Sequence, residues 1–97
     1  MPRTFAVIRS RGPGWNAALG MEEQEGWRAH ADFMDALFAE GFFLLAGPLE
    51  GTSEVLLIVR AESESEVLAR LARDPWSGRM LSISRVAPWT LRLGSLD

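Results

Sequence analysis

Several reactive side chains are missing from these 97 residues: there is no cysteine, no lysine and no tyrosine, and His30 is the single histidine. Without cysteine, the chain has no disulfide, no thiolate nucleophile and no thiolate zinc ligand. Without lysine, it has neither a Schiff-base amine nor the lysine of a phosphate-binding loop. One histidine cannot form a multi-histidine metal site within one chain, so we expect no metal. Acid–base chemistry is left to one imidazole, four aspartates and nine glutamates.

The charge balance and the apolar runs argue against two classes of partner. A net charge of −3 is unsuited to nonspecific nucleic-acid binding, which needs a basic surface. The longest apolar runs, at 42–46 and 55–59, are far shorter than the ~20 residues that span a bilayer. No long apolar stretch follows Arg3, so no secretory signal is visible and we expect a cytoplasmic protein. We therefore expect neither a nucleic-acid nor a membrane partner.

Hydrophobic periodicity and turn residues predict one domain over 1–97 with the element order β-α-β-β-α-β. The predicted elements are a strand at 3–10, a helix at 22–40, strands at 42–49 and 54–61, a helix from the cap at 63 to about 72, and a strand at 80–87. This order is that of the ferredoxin-like, split β-α-β fold. We expect an α+β protein with a four-stranded antiparallel sheet and both helices on one face.

The first helix is predicted from apolar residues at spacings of three and four between Trp27 and Phe38. Glu22 and Glu23 would lie in its first turn, where the helix dipole favours negative charge. Gly26 would then lie inside the helix, at a cost of about 1 kcal/mol.

Strands two and three are apolar on both faces, although helices can cover only one face of the sheet. In strand two, one face would carry Phe42, Leu44 and Ala46, and the other Phe43 and Leu45. In strand three, one face would carry Val55, Leu57 and Val59, and the other Leu56 and Ile58. We expect a second copy of the chain to cover the outer face, giving a homodimer packed sheet against sheet. A monomer whose loops and tail fold over the sheet is the alternative.

His30 is the first candidate for chemistry, because it lies in the middle of the apolar stripe of the first helix. Its ordinary interpretation is a structural histidine with satisfied ring nitrogens, whereas a functional histidine needs a carboxylate to orient it. Asp74 is the best candidate for that carboxylate, although Asp74-Pro75 is also ordinary turn chemistry. Spacing alone does not bring the two residues together.

Other residues could shape a binding site for a small-molecule ligand. Arg9, Arg11 and Arg28 could bind an anionic substrate, although arginines are more often solvated. Arg28 is the weakest of the three, because two residues along a helix it points about 200° away from His30, whereas Arg9 lies among apolar strand residues. Gly47 and Pro48 would bring backbone close to a cavity, unless they simply end a strand. Trp76 could wall the pocket, although an aromatic residue there is more often packing.

The chain resembles the YCII-related domain family along nearly its whole length. The matching features, in order, are Gly12-Pro13-Gly14 after the first strand, His30 in the first helix, Ala46-Gly47-Pro48-Leu49, Ser63 before the second helix, Asp74-Pro75-Trp76, and Val86-Ala87-Pro88-Trp89. The resemblance implies a ferredoxin-like fold of the dimeric α/β-barrel type. It also implies that His30 and Asp74 form an active-site pair.

The hypothesis for function is a small enzyme in which His30 and Asp74 perform general acid–base catalysis on a small organic substrate, without metal or organic cofactor. Proton transfer suits an isomerisation, an elimination such as dehydrohalogenation, or a lyase step. The alternative is a non-catalytic module of the same fold that binds or senses a small molecule. A purely structural interaction domain would leave His30 unexplained.

Overall fold

The computed structural model describes residues 1–96 and forms its elements in the predicted order. They are β1 (Arg3–Arg11), α1 (Trp27–Ala39), β2 (Phe43–Pro48), β3 (Glu54–Ala61), α2 (Glu64–Leu71) and β4 (Leu81–Pro88). The four strands form one sheet in the order β2-β3-β1-β4, and every neighbouring pair is antiparallel. This arrangement confirms the predicted α+β, ferredoxin-like fold.

The inner face of the sheet carries the hydrophobic core, because alternation in β1 and β3 directs the same-face residues toward the helices. Phe5 lies opposite Val59, and Val7 lies opposite Leu57. Over these residues pack side chains from α1 and α2, namely Leu37, Val67 and Leu71. Each such apolar side chain contributes roughly 1.5–3 kcal/mol when fully buried. Both helices therefore lie on one face, where they also position the side chains described below.

The outer face of the sheet is apolar and open. Ala6, Ile8 and Leu56 lie on this face and line a shallow hollow beside Trp89. Leu45 is 57% exposed. The prediction that β3 is apolar on both faces is thus confirmed.

The predicted alternation of β2 is wrong in part, because the register of β2 against β3 shifts between Phe43 and Leu45. Phe43 lies opposite Val59, and Ala46 lies opposite Leu57. Phe43 and Ala46 therefore share the inner face, whereas strict alternation would have separated them.

The first helix begins later than predicted, at Trp27 rather than at residue 22. Gly26 adopts a left-handed conformation, with a φ of 80°, and so cannot continue a helix. A side chain at this position would approach the indole Nε1 of Trp76 to 3.2 Å. Glu22 and Glu23 lie instead in a short 3-10 turn at Met21–Glu23, so they do not occupy the first turn of α1.

The second helix has the predicted cap, since the Ser63 hydroxyl accepts a hydrogen bond from the Glu66 backbone N–H at 3.1 Å. The Glu66 carboxylate does not accept a hydrogen bond from the Ser63 backbone N–H, as it would in a capping box. It accepts from the backbone N–H of Glu62, at 2.7 Å. Neither α1, with 13 residues, nor α2, with eight, is long and apolar enough to cross a membrane, and these are the α-helices within 1–96.

Candidate functional site

Asp74 is positioned by the turn that follows α2. Its backbone N–H donates to the Leu71 carbonyl at 3.1 Å, and its own carbonyl accepts from the Ser77 N–H at 2.8 Å. The carboxylate oxygen Oδ1 accepts the backbone N–H of Trp76 at 2.9 Å, which closes an Asx turn. The turn chemistry expected of Asp74-Pro75 therefore holds the carboxylate in place, in a residue that is 3% exposed as a whole.

His30 lies one turn into α1, and its Nδ1 is 2.9 Å from both carboxylate oxygens of Asp74. The residue is 6% exposed. An ionised carboxylate can only accept hydrogen bonds, so Nδ1 carries the proton of this contact. In the neutral imidazole, Nε2 is then the basic nitrogen. No side chain or backbone group within 1–96 forms a hydrogen bond with Nε2.

Arg9 binds the same carboxylate from the other side. It lies in β1 on the inner face, and its Nη1 donates to Asp74 Oδ2 at 2.9 Å. Both side chains are almost completely buried, at 1% and 0% exposure. The Arg9 Nε is buried with no hydrogen-bond partner among the described residues. The carboxylate thus joins β1, α1 and the turn after α2.

The ionisation of Asp74 follows from these contacts. Burial of the carboxyl disfavours its charged form and by itself raises its pKa. Hydrogen bonds from His30, the Trp76 backbone and Arg9 favour the charged form and outweigh this effect, so the pKa of Asp74 lies below 3.8. A charge on His30 acts in the same direction. Asp74 is therefore a carboxylate at neutral pH.

Tryptophan rings enclose the imidazole. The Trp76 ring stacks on the His30 ring with a centroid distance of 4.0 Å and an angle of 8°. The Trp76 indole is fixed in turn, because its Nε1 donates to the Glu25 carbonyl at 2.8 Å. Trp27 lies 5.9 Å from both rings, and Trp15 meets Trp76 edge-on at 5.5 Å. These contacts leave the imidazole little freedom to rotate.

His30, Arg9 and Trp76 line a cavity of about 330 Å³ between the helix-covered face of the sheet and the loop after β1. This volume lies within the range of pockets that bind small molecules. Gly47 and Pro48 of β2 also line it, so the structure brings every residue predicted for substrate binding to the cavity. Further residues in its wall are Arg11, Trp15, Met21, Trp27, Arg28, Met34 and Asp35. The described residues contain no group of three histidine, aspartate or glutamate side chains placed to hold a metal ion.

Comparison with known proteins assigns the family. The profile of the YCII-related domain matches residues 5–90, and the match includes all of the site residues above. The chain belongs to the YCII-related domain family. Comparisons with curated proteins and with solved structures returned no match.

In this YCII-related chain, the contact between Arg9 and Asp74 is the feature that sequence reasoning missed. Arg9 was predicted to bind substrate, whereas its Nη1 is engaged by Asp74. The alternation of inward and outward side chains along β1 could have predicted this contact. Arg9 shares the inner face with Phe5 and Val7, so its charge had to be buried with a partner. Trp27 had a signal of another kind, since it precedes His30 by three positions in the helical stripe, whereas Trp15 had none, because it is a loop residue that meets Trp76 only through the fold.

Replacing Asp74 with asparagine should destabilise the YCII-related chain and change how its stability depends on pH. At neutral pH, we expect the free energy of unfolding to fall by about 3–5 kcal/mol, because the Arg9 charge stays buried without a counter-charge. Because the pKa of Asp74 is lower folded than unfolded, its ionisation stabilises the fold above the unfolded value of 3.8 and ceases to do so as pH falls through the folded value. Denaturant unfolding from neutral to acidic pH measures both effects.

The matched control is Asp32→Asn, which breaks an exposed ion pair with Arg28. We expect it to change stability by less than about 1 kcal/mol. The stability difference between wild type and Asp74→Asn should shrink below about pH 4. A difference that is the same at every pH, or equal to that of the control, would contradict this role of Asp74.

Proposed function

We propose that this YCII-related chain is a small cytoplasmic enzyme in which His30 acts as general acid and base on a small organic substrate. The observation that carries the proposal is an imidazole in a cavity wall whose Nδ1 is held at 2.9 Å by a buried carboxylate. A hydrogen bond at Nδ1 leaves Nε2 as the atom that exchanges a proton with substrate. Asp74 acts through His30 and is a positioning residue.

Charge supports this division of roles. When His30 takes a proton from substrate, the imidazolium forms beside the ionised carboxylate of Asp74, which stabilises it. Arg9 keeps that carboxylate charged even while the imidazole is neutral, since its guanidinium contacts Oδ2 at 2.9 Å. The acceptor of the His30 N–H is therefore in place before the proton is transferred, and nothing has to rearrange.

The reaction class follows from what the site contains. Its walls present no cysteine or lysine nucleophile, and the group placed for chemistry is an imidazole. A single acid–base residue suits an isomerisation, an elimination such as dehydrohalogenation, or a lyase step, and we propose that it acts here without a metal or an organic cofactor. Gly47, Pro48 and Trp76 would contact the body of the substrate, since they line the same cavity.

Proton transfer by His30 can be tested before the natural substrate is known. A positioned base should exchange carbon-bound hydrogen of suitable small molecules for solvent deuterium, which NMR detects. We expect a panel of small carbon acids to include compounds that wild type exchanges, and His30→Gln to lower that rate by about 10²–10⁴-fold. Glutamine retains hydrogen-bonding capacity next to Asp74, so the melting temperature should change little.

The control for this experiment is Asp32→Asn, on the same helix but 69% exposed, paired with Arg28 and outside the cavity wall. It should keep the exchange activity. Exchange that survives in His30→Gln would refute the proposal. A wild-type chain that binds small molecules in the cavity but exchanges none of them would favour the alternative, a binding or sensing module.

We also propose that the chain forms a homodimer through the outer face of its sheet. Ile8, Leu56 and Trp89 leave this face apolar, and a second copy would bury it. In a two-fold dimer, the same patch serves both subunits, so no other partner is needed.

Light scattering during size-exclusion chromatography tests the dimer. Wild type should elute with twice the chain mass of 10.7 kDa. Leu56→Arg places a charge in the interface and should give a monomer. Leu68→Arg is the matched control, since Leu68 is a 42% exposed leucine on α2, on the helix side of the molecule. A monomeric wild type at micromolar concentration, or a dimeric Leu56→Arg, would rule out this interface.

A further inference from the structure

We infer that the ligand of the cavity is a flat, unsaturated molecule with one negative charge, and that Arg11 binds its anionic group. The inference rests on the proposed function in one respect, that the cavity is the ligand site. It does not depend on catalysis by His30. Arg11 is the last residue of β1 and lies in the cavity wall.

The pairing of charges singles out Arg11 among the three arginines of the cavity. Arg9 is bound to Asp74, and Arg28 is bound to Asp32 at 3.1 Å. Within residues 1–96, no carboxylate forms an ion pair with Arg11. The carboxylate in the cavity wall is Asp35, which like Arg11 is an exposed residue and forms no ion pair with it. Arg11 is therefore the cation available to a ligand.

The guanidinium of Arg11 is held in a position suited to an anion. Its central carbon lies over the Trp15 ring, 4.7 Å from the centroid. Stacking on an aromatic face leaves the N–H edge of the guanidinium free, and that edge matches the two oxygens of a carboxylate. The backbone of Arg11 is fixed as well, because its N–H donates to the Ser53 carbonyl at 3.0 Å.

A ligand held by Arg11 is within reach of His30. Arg9 lies opposite Ile83 and Arg11 opposite Leu81, so the two arginines share the inner face of β1. Two residues of a strand span about 6.6 Å. Arg9 is joined to His30 through one carboxylate, by contacts of 2.9 Å on each side. Arg11 and His30 also line the same cavity, so a small molecule that fills it contacts both residues.

The cavity walls favour a flat, unsaturated body. Trp15 and Trp27 lie half-buried in the wall, whereas Trp76 is 2% exposed and one of its faces is covered by His30, so the ring faces within reach of a ligand are those of Trp15 and Trp27. Conjugated rings and double bonds stack on such faces.

Pairs of a carboxylic acid and its amide, which have nearly the same shape, test whether a ligand of the cavity needs a negative charge. The probes are benzoate with benzamide, and trans-cinnamate with cinnamamide, titrated at neutral pH. Two-dimensional NMR follows the indole N–H signals of Trp15, Trp27 and Trp76, while Trp89, on the outer face, serves as an internal reference. We expect the acids to shift the three cavity signals saturably, with dissociation constants about tenfold or more below those of the amides.

Three variants complete the experiment. Arg11→Gln should abolish the preference for the acids and leave amide binding unchanged. Arg3→Gln is the matched control, since Arg3 lies on the same strand with its guanidinium 5.7 Å from the centre of the Phe5 ring but outside the cavity wall. It should keep the preference. His30→Gln should still bind the acids.

The inference is overturned if the amides bind as tightly as the acids, if Arg11→Gln binds the acids normally, or if no acid shifts the cavity signals. Its failure can be distinguished from failure of the proposed function. Acids that bind without any His30-dependent proton exchange would leave the inference standing and refute the catalytic role. If the chain exchanges neutral compounds but binds no acid, the inference is refuted and the catalytic role stands.

Discussion

The site depends on one buried carboxylate. The Asp74 carboxylate accepts hydrogen bonds from the His30 imidazole, the Arg9 guanidinium and the backbone N–H of Trp76, all at 2.9 Å. These donors come from α1, β1 and the turn after α2, so the same contacts that keep the carboxylate ionised also join three parts of the chain. A buried charge is costly unless it is paired and hydrogen-bonded, and here every contact serves that purpose. The geometry of the imidazole is a consequence of satisfying this charge.

The aromatic wall connects the site to the start of α1. Trp76 stacks on His30 and donates its indole N–H to the Glu25 carbonyl. Gly26 follows in a left-handed conformation, where a side chain would crowd the same indole. The glycine at position 26, just before α1, therefore leaves room for Trp76, which covers the imidazole. Helix start, ring stack and cavity wall form one arrangement, which holds the ring of His30 in one orientation.

Local patterns in the sequence predicted the order of the elements, the cap at Ser63 and the candidate His30, because each depends on neighbouring residues. The start of α1 could not be predicted in this way, since Gly26 takes its conformation beside Trp76, which is 50 positions away along the chain. The shift in β2 likewise arises from pairing with β3. Asp74 became a candidate through its Asp-Pro turn and the family resemblance. Its contact with Arg9 joins residues 65 positions apart and required the fold.

The central claim is that Asp74 fixes the His30 ring with its proton on Nδ1 and leaves Nε2 as the basic nitrogen. Because the chain has one histidine, a single pair of imidazole ¹⁵N signals reports this without ambiguity. In the neutral state of wild type, we expect the ¹⁵N shifts to give the Nδ1-protonated tautomer, with Nε2 unprotonated. A ring whose neutral form carries its proton mainly on Nε2 would contradict the account.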